Sequence, residues 1–408
     1  MKMHHLIAML LVASAPVLAE PGLLPEPAVR EALDAHPSVE AAKARIGVAK
    51  AEERALKAGP HEVTVSGSYI RRSVDREGEY DEYDATLSRA VRLPGKARLD
   101  RKAGAFGVAA SENRFEDARH QTALLLNELW WDWLGASAET AVDLQSVSNL
   151  QQSLDGVKRR VTLRDAAPLE ADQAEAALGT ARLAAAQSKG RADFARTRLI
   201  AQFPSLALPD LAVELSLPQQ PPGGFALLRD QVIARSHEIG AAEAEAARLG
   251  VVSERVRRDR IADPSVGLRV FSERNGAERG AGLVLSMPIG GGQRRAQADK
   301  SSAEASAALA ELAAVRFDVQ EMADGDLSRA EAGLSAWRRS REGLDAQVAA
   351  VLKMRRGYQL GAIDLADLLL AERQTHDAFR SEAITRTEAM RAITRLRIDS
   401  HNLWIGDE

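Results

Sequence analysis

The chain repeats itself at about half its length, and this limits what it can fold into more than any other feature. The run Ser88–Arg98 (Ser-Arg-Ala-Val-Arg-Leu-Pro-Gly-Lys-Ala-Arg) is answered by Ser286–Arg295 (Ser-Met-Pro-Ile-Gly-Gly-Gly-Gln-Arg-Arg). Each is an apolar alternating stretch that stops at a Pro/Gly turn and enters a basic, Ala-rich helical run. Downstream, Arg159-Arg160-Val161 before Pro168-Leu169-Glu170 is matched by Arg356-Gly357-Tyr358 before Leu365-Ala366-Asp367. The offset is 198 residues at the first pair and 197 at the second. Upstream, His36-Pro37 lies 200 residues before Ser236-His237, each near the start of a helical run. So long a period excludes a solenoid and implies a duplicated unit packed about a pseudo-two-fold.

Residues 1–19 read as an export signal. Lys2, His4 and His5 form a short polar segment, Leu6 to Ala15 an apolar one, and Val17-Leu18-Ala19 ends in small residues that place cleavage after Ala19. The chain has no cysteine, so no lipid-anchored N-terminal cysteine is expected, and the absence suits an oxidising compartment. Beyond Ala19 no apolar run reaches the ~18 residues of a membrane helix. A membrane span would therefore be built of strands.

Two kinds of segment carry the organisation. Residues 96–160 and 293–360 lack proline and repeat apolar residues at helical spacing, for example Leu125, Leu129 and Leu134, so each is read as one helix of ~100 Å. Small residues such as Ala303, Ala307, Ala310 and Ala314 suit close helix approach. Shorter helical runs cover 27–58 and 169–202 in the first half, and 225–262 and 365–400 in the second. Two short runs together match one long run, as expected if they stack end to end beside it. Pairs of alternating strands fall at about 62–71 and 82–93, then at about 265–271 and 281–289. Repeat 1 thus spans 20–212 and repeat 2 spans 225–408, with a linker over 203–224 that is rich in proline and glycine.

Each strand has an apolar and a polar face, as in a membrane barrel. Four strands cannot close in a bilayer, so the sheet must be shared between copies, eight strands in a dimer or twelve in a trimer. The fold class is therefore mainly α with a small membrane β-barrel contribution: duplicated long helical hairpins plus four β-strands per chain.

Over residues 20–408 this layout resembles the TolC family of outer-membrane efflux proteins, with the CzcC-like heavy-metal branch similar in length. The resemblance rests on the His36-Pro37 helix start, the strand-to-helix junctions at Pro94-Gly95 and Gly291-Gly292, the Arg-rich helix ends, and the turns at Pro168-Leu169-Glu170 and Gly361–Asp367. It implies a TolC-like α/β barrel completed by trimerisation, with twelve strands in the outer membrane above a twelve-helix periplasmic tunnel. It further implies a homotrimer that acts as the passive exit duct of a tripartite efflux system. The partners implied are outer-membrane lipid, a periplasmic adaptor (membrane fusion) protein and an inner-membrane pump of the resistance-nodulation-division type, with heavy-metal cations as one cargo. Where the family carries a glycine in the first tip turn, this chain has Arg164, followed by Asp165. Asp367 falls on the first of two aspartates that ring the family's periplasmic aperture; Leu370 occupies the second. Asp364 stands one helical turn before Asp367. Both also fit a plainer role, Asp364 as helix cap and Asp367 as a dipole-favoured first-turn carboxylate.

Other functions find little support. The net charge of −4 and 4% aromatic content give no basic field or stacking platform for nucleic acid. The histidines His36, His61, His120, His237, His376 and His401 are scattered and match no catalytic or metal motif, so neither an enzyme, a cofactor nor a dedicated metal site is expected. Gly290-Gly291-Gly292 lacks the Lys-Ser/Thr of a phosphate loop. Trp130, Trp131 and Trp133 are read as mid-tunnel packing. Two alternatives remain open: a periplasmic adaptor, with one hairpin between β-rich domains, and a coiled-coil scaffold of an export complex.

Overall fold

The computed structural model describes residues 21–406; the export signal read over 1–19 lies outside them. In chain order the elements are α1 (Glu26–Asp34), α2 (Pro37–Ala58), β1 (Val63–Val74), β2 (Gly78–Ala90), α3 (Lys96–Thr162), α4 (Pro168–Gln202), α5 (Gly224–Arg235), α6 (His237–Arg258), β3 (Ser265–Glu273), β4 (Glu278–Ser286), α7 (Gly292–Gln359) and α8 (Leu365–Asp399). The halves match in length as well as order. α2 and α6 both have 22 residues, α4 and α8 both have 35, and α3 and α7 have 67 and 68. Each long helix extends ~100 Å, with the 22- and 35-residue helices of its half packed along it.

The runs read as single helices over 27–58 and 225–262 are each broken. Pro37 forces His36 out of the helical region, to φ −73° and ψ 135°, and the His36 ring caps α2 by accepting from the Ser38 N–H. The second break has no proline. Ser236 takes an extended conformation and its Oγ accepts from the Ile239 N–H at 3.2 Å, capping α6.

The main core lies at mid-length of the rod. Trp130, Trp131, Leu126, Leu129 and Leu134 of α3 pack there with α1, the end of α4 and Trp404. Phe203, Leu206 and Leu215 of the Pro/Gly-rich linker are buried in the same cluster, so this segment is part of the core and not a free tether. Trp131 donates its indole N–H to Thr394 Oγ1 at 2.8 Å, and Trp130 donates to the Gly22 carbonyl at 3.0 Å. The three tryptophans are therefore packing residues.

A single antiparallel sheet runs in the order β1-β2-β3-β4, with β2–β3 pairing joining the two repeats. The ladders reach further into charged sequence than alternation indicates, to Val74↔Gly78 and Glu273↔Glu278. Cross-strand ion pairs such as Arg72–Glu82 at 2.5 Å replace apolar contacts there. At the other end the strands stop early, β2 at Ala90 and β4 at Ser286. Met287 and Ile289 lie outside β4 because Pro288 has no N–H for the ladder.

Candidate functional site

The sheet has two chemically different faces. Register aligns Val65, Leu87, Leu268 and Leu283 in one row, with Gly67, Ala85, Val270 and Ala281 in the next and Val63, Arg89, Val266 and Leu285 beside it. The leucines and valines of these rows are largely exposed, Val65 by 75%, Leu283 by 85% and Leu285 by 73%. The opposite face carries Ser66, Thr86 and Arg269 in one row and Ser68 and Asp84 in the next, with Arg269 paired to Asp84. Among the described residues no helix packs over the apolar rows, and β1 and β4 each keep one unpaired edge. Among the described residues no helix is long and apolar enough to cross a membrane.

At the far end of the rod lie two helix tips, the α3–α4 and α7–α8 turns. They have the same backbone. The Asp165 N–H donates to the Arg160 carbonyl and the Ala362 N–H to the Gly357 carbonyl, both at 2.8 Å. The left-handed position between them is Gly361 in one turn (φ 74°) and Arg164 in the other (φ 58°). Arginine thus occupies the glycine position without changing the shape of the turn, at a steric cost of ~1 kcal/mol. Leu365 at the start of α8 is buried with Leu154, Val157 and Leu178 of the first repeat, which docks the tips together.

Asp364 is the N-cap of α8, its Oδ1 accepting from the Asp367 N–H at 2.8 Å. The structure thus brings the two predicted carboxylates onto one exposed helical turn, in the geometry of cap and first-turn acid. At the paired tips Arg160, read in the sequence only as part of an Arg-rich helix end, donates from Nη1 to Tyr358 Oη across the repeats and from Nε to Asp165.

Of the junction residues, Gly95 sits at φ 88°, the left-handed region that favours glycine, with the mobile end of Arg258 packed against its open side. In the second repeat the left-handed residue is Gly290 (φ 101°), not Gly291 or Gly292; Gly291, at φ 173°, is ordinary extended backbone. Lys96, the residue after Pro94-Gly95, is almost wholly buried and bridges the repeats. Its Nζ lies 2.7 Å from Asp263 Oδ1, 2.8 Å from Asp259 Oδ1 and 2.9 Å from the Ile261 carbonyl. Burial opposes the Asp263 charge, but hydrogen bonds from Lys96, His61 and the Leu93 N–H prevail and lower its pKa to about 2.

The histidines scattered in the sequence also find partners. At mid-rod the ring of His120 lies 5.8 Å from that of His401, which stacks on His237 at 4.8 Å. Burial disfavours a charged His120 ring, yet the hydrogen bond to Asp399 and the Glu238 carboxylate 3.6 Å from Nδ1 raise its pKa to about 9. Elsewhere His376 Nε2 meets Asp143 Oδ1 at 2.8 Å.

The chain is thus a rod of duplicated helical hairpins that ends in an amphipathic, open four-stranded sheet. No protein-family model matches the chain, and no curated protein gives a significant sequence match. Solved structures match in fold. CusC, a protein that forms a transmembrane channel, superposes with a TM-score of 0.77 at 17% identity, over 92% of this chain and 91% of that chain. The outer membrane protein VceC from Vibrio cholerae gives 0.75 at 16% identity, over 91% of this chain and 95% of that one. The open state of the Neisseria gonorrhoeae MtrE outer membrane channel gives 0.69 at 17%, over 94% and 90%. The chain has the fold of these outer-membrane channels, as its sequence resemblance implies. The adaptor alternative, one hairpin between β-rich domains, does not fit two hairpins that share one sheet.

Proposed function

We propose that three copies of this chain form an outer-membrane channel, the exit duct of a tripartite efflux system. The observation that carries this reading is the sheet, apolar and exposed on one face, polar on the other, and unpaired at both edges. In lipid every edge group must be satisfied, so β4 of one copy pairs with β1 of the next, and twelve strands close with the leucine rows toward lipid and the Asp84–Arg269 face toward water. Along α7 the residues Ala303, Ala307, Ala310, Ala314 and Phe317 are exposed in the single chain, a surface that neighbouring copies cover.

Residues 1–19 direct export, and the helical rod extends from the barrel into the periplasm. Its tips meet a periplasmic adaptor and, through it, an inner-membrane pump of the resistance-nodulation-division type. The duct is passive. At the mouth, Asp367 with Asp364 sets a ring of carboxylates made threefold by symmetry, which favours cations; heavy-metal ions are one cargo of that class. Planar-bilayer recording tests this. The purified protein should conduct with cation selectivity, and Asp367→Asn should weaken both that selectivity and block by multivalent cations added at the tip side. No conductance from folded protein would exclude the duct. Conductance with unchanged selectivity and block in Asp367→Asn would leave the residue a helix-start carboxylate only.

A further inference from the structure

Where α3 of the first repeat meets the first turn of α6 of the second, three donor atoms converge. Asp117 and His120, one helical turn apart on α3, face Glu238 of α6, and one ligand atom from each lies within 4.8 Å of the others. We propose that Asp117, His120 and Glu238 bind a divalent transition-metal ion of the zinc type, clamping the two repeats at mid-rod.

The second observation is the His120 ring. It is 2% exposed, and its Nε2 lies 2.8 Å from Asp399 Oδ1 on a carboxylate that is itself 1% exposed. An ionised carboxylate only accepts, so Nε2 keeps its proton, and a metal ion that arrives at Nδ1 displaces the proton held there and takes the lone pair. Nδ1 has no hydrogen-bond partner, and the nearest acid, Glu238 Oε1, is 3.6 Å away. A buried imidazole nitrogen is thus aimed into the acid pair while a carboxylate fixes the ring from behind, the outer-shell arrangement of metal-binding histidines.

Gln121 completes the set. Its amide nitrogen lies between the two acids, 3.3 Å from Asp117 Oδ1 and 3.4 Å from Glu238 Oε1, both long for hydrogen bonds. Rotating the amide turns its oxygen inward, giving one nitrogen and three oxygens, enough for four-coordinate zinc. The imidazole favours zinc, nickel or cobalt over calcium or magnesium, and the lack of thiolate argues against copper(I). Asp117 and Gln121 line an open groove of 1070 Å³ between α2, α3 and α6, through which an ion enters. The site depends on the α3–α6 contact and exists whether or not the chain conducts.

The test is calorimetric titration of zinc chloride into chelator-stripped, detergent-purified full chain. One ion per chain is expected, with affinity lowered at least about tenfold in Asp117→Asn and in Glu238→Gln. Asp367→Asn should leave binding unchanged, which separates this site from the tip carboxylates. Because His120→Ala removes a buried partner of Asp399 and endangers folding, zinc-edge X-ray absorption on the unmutated protein supplies a second readout, an imidazole nitrogen at ~2.0–2.1 Å. Absence of saturable uptake, unchanged affinity in both acid variants, or a shell without imidazole overturns the site.

Discussion

Arg160 Nη1, on the last turn of α3, lies 2.6 Å from the hydroxyl of Tyr358, on the last turn of α7. The same guanidinium sits 5.2 Å from the Tyr358 ring centroid and holds Asp165 through Nε. One side chain therefore ties the two helical tips of a chain together at the mouth of the rod. Arg160→Ala removes all of these contacts, and Tyr358→Phe removes only the hydroxyl, worth ~1 kcal/mol. Single-channel conductance and protease cleavage at the tips should rise most in Arg160→Ala and less in Tyr358→Phe. Unchanged values in Arg160→Ala would mean that the docking of Leu365 alone holds the tips.

The strand faces give a second expectation. Leu285→Arg or Leu87→Arg places a charge in the row assigned to lipid and should cost ~2–4 kcal/mol. Ser88→Arg and Ser286→Arg, on the other face, should fold nearly as well as the parent chain. The fraction of heat-resistant oligomer in outer-membrane extracts reads the difference. Equal tolerance on both faces would reverse the assignment of lipid and water.

A third expectation follows from the Lys96–Asp263 pair. The Asp263 carboxyl is lowered from 3.8 to about 2 in the folded chain. A lowered acid stabilises the fold at any pH above its unfolded value and loses that contribution as pH falls through its folded value. About 2 kcal/mol should therefore disappear between roughly pH 4 and pH 2. Asp263→Asn should lower stability at neutral pH, leaving Lys96 buried with Asp259 and the Ile261 carbonyl, and should flatten the acid part of the stability curve. Denaturant unfolding in detergent across that range checks both. An unaltered acid limb in the variant would contradict the pairing.

What the sequence made legible follows from how local each signal is. Helix period, proline-free length and strand alternation are properties of neighbouring residues, so the long helices, their partners and the four strands could be read directly. The break before Pro37 is local too and could have been found from the proline alone. The break at Ser236 lacks that signal, because a serine in a helical run declares itself as a cap only when its hydroxyl meets the Ile239 N–H. Arg164 showed the limit of motif matching. It departs from the glycine pattern in sequence, yet it adopts the same left-handed backbone as Gly361. The site residues that went unread are pairs split between the repeats. Lys96 with Asp263, Arg160 with Tyr358, and His120 with Glu238 and Asp399 meet only once the halves pack, and no periodicity reports such contacts.

The most direct test of the account is the number of chains in the membrane-extracted particle. Outer membranes should contain the processed chain, and light scattering on the detergent-purified particle, corrected for bound detergent, should give three copies, with cross-links between β4 of one copy and β1 of the next. A monodisperse single chain that stays soluble without detergent would contradict the shared barrel and, with it, the exit duct.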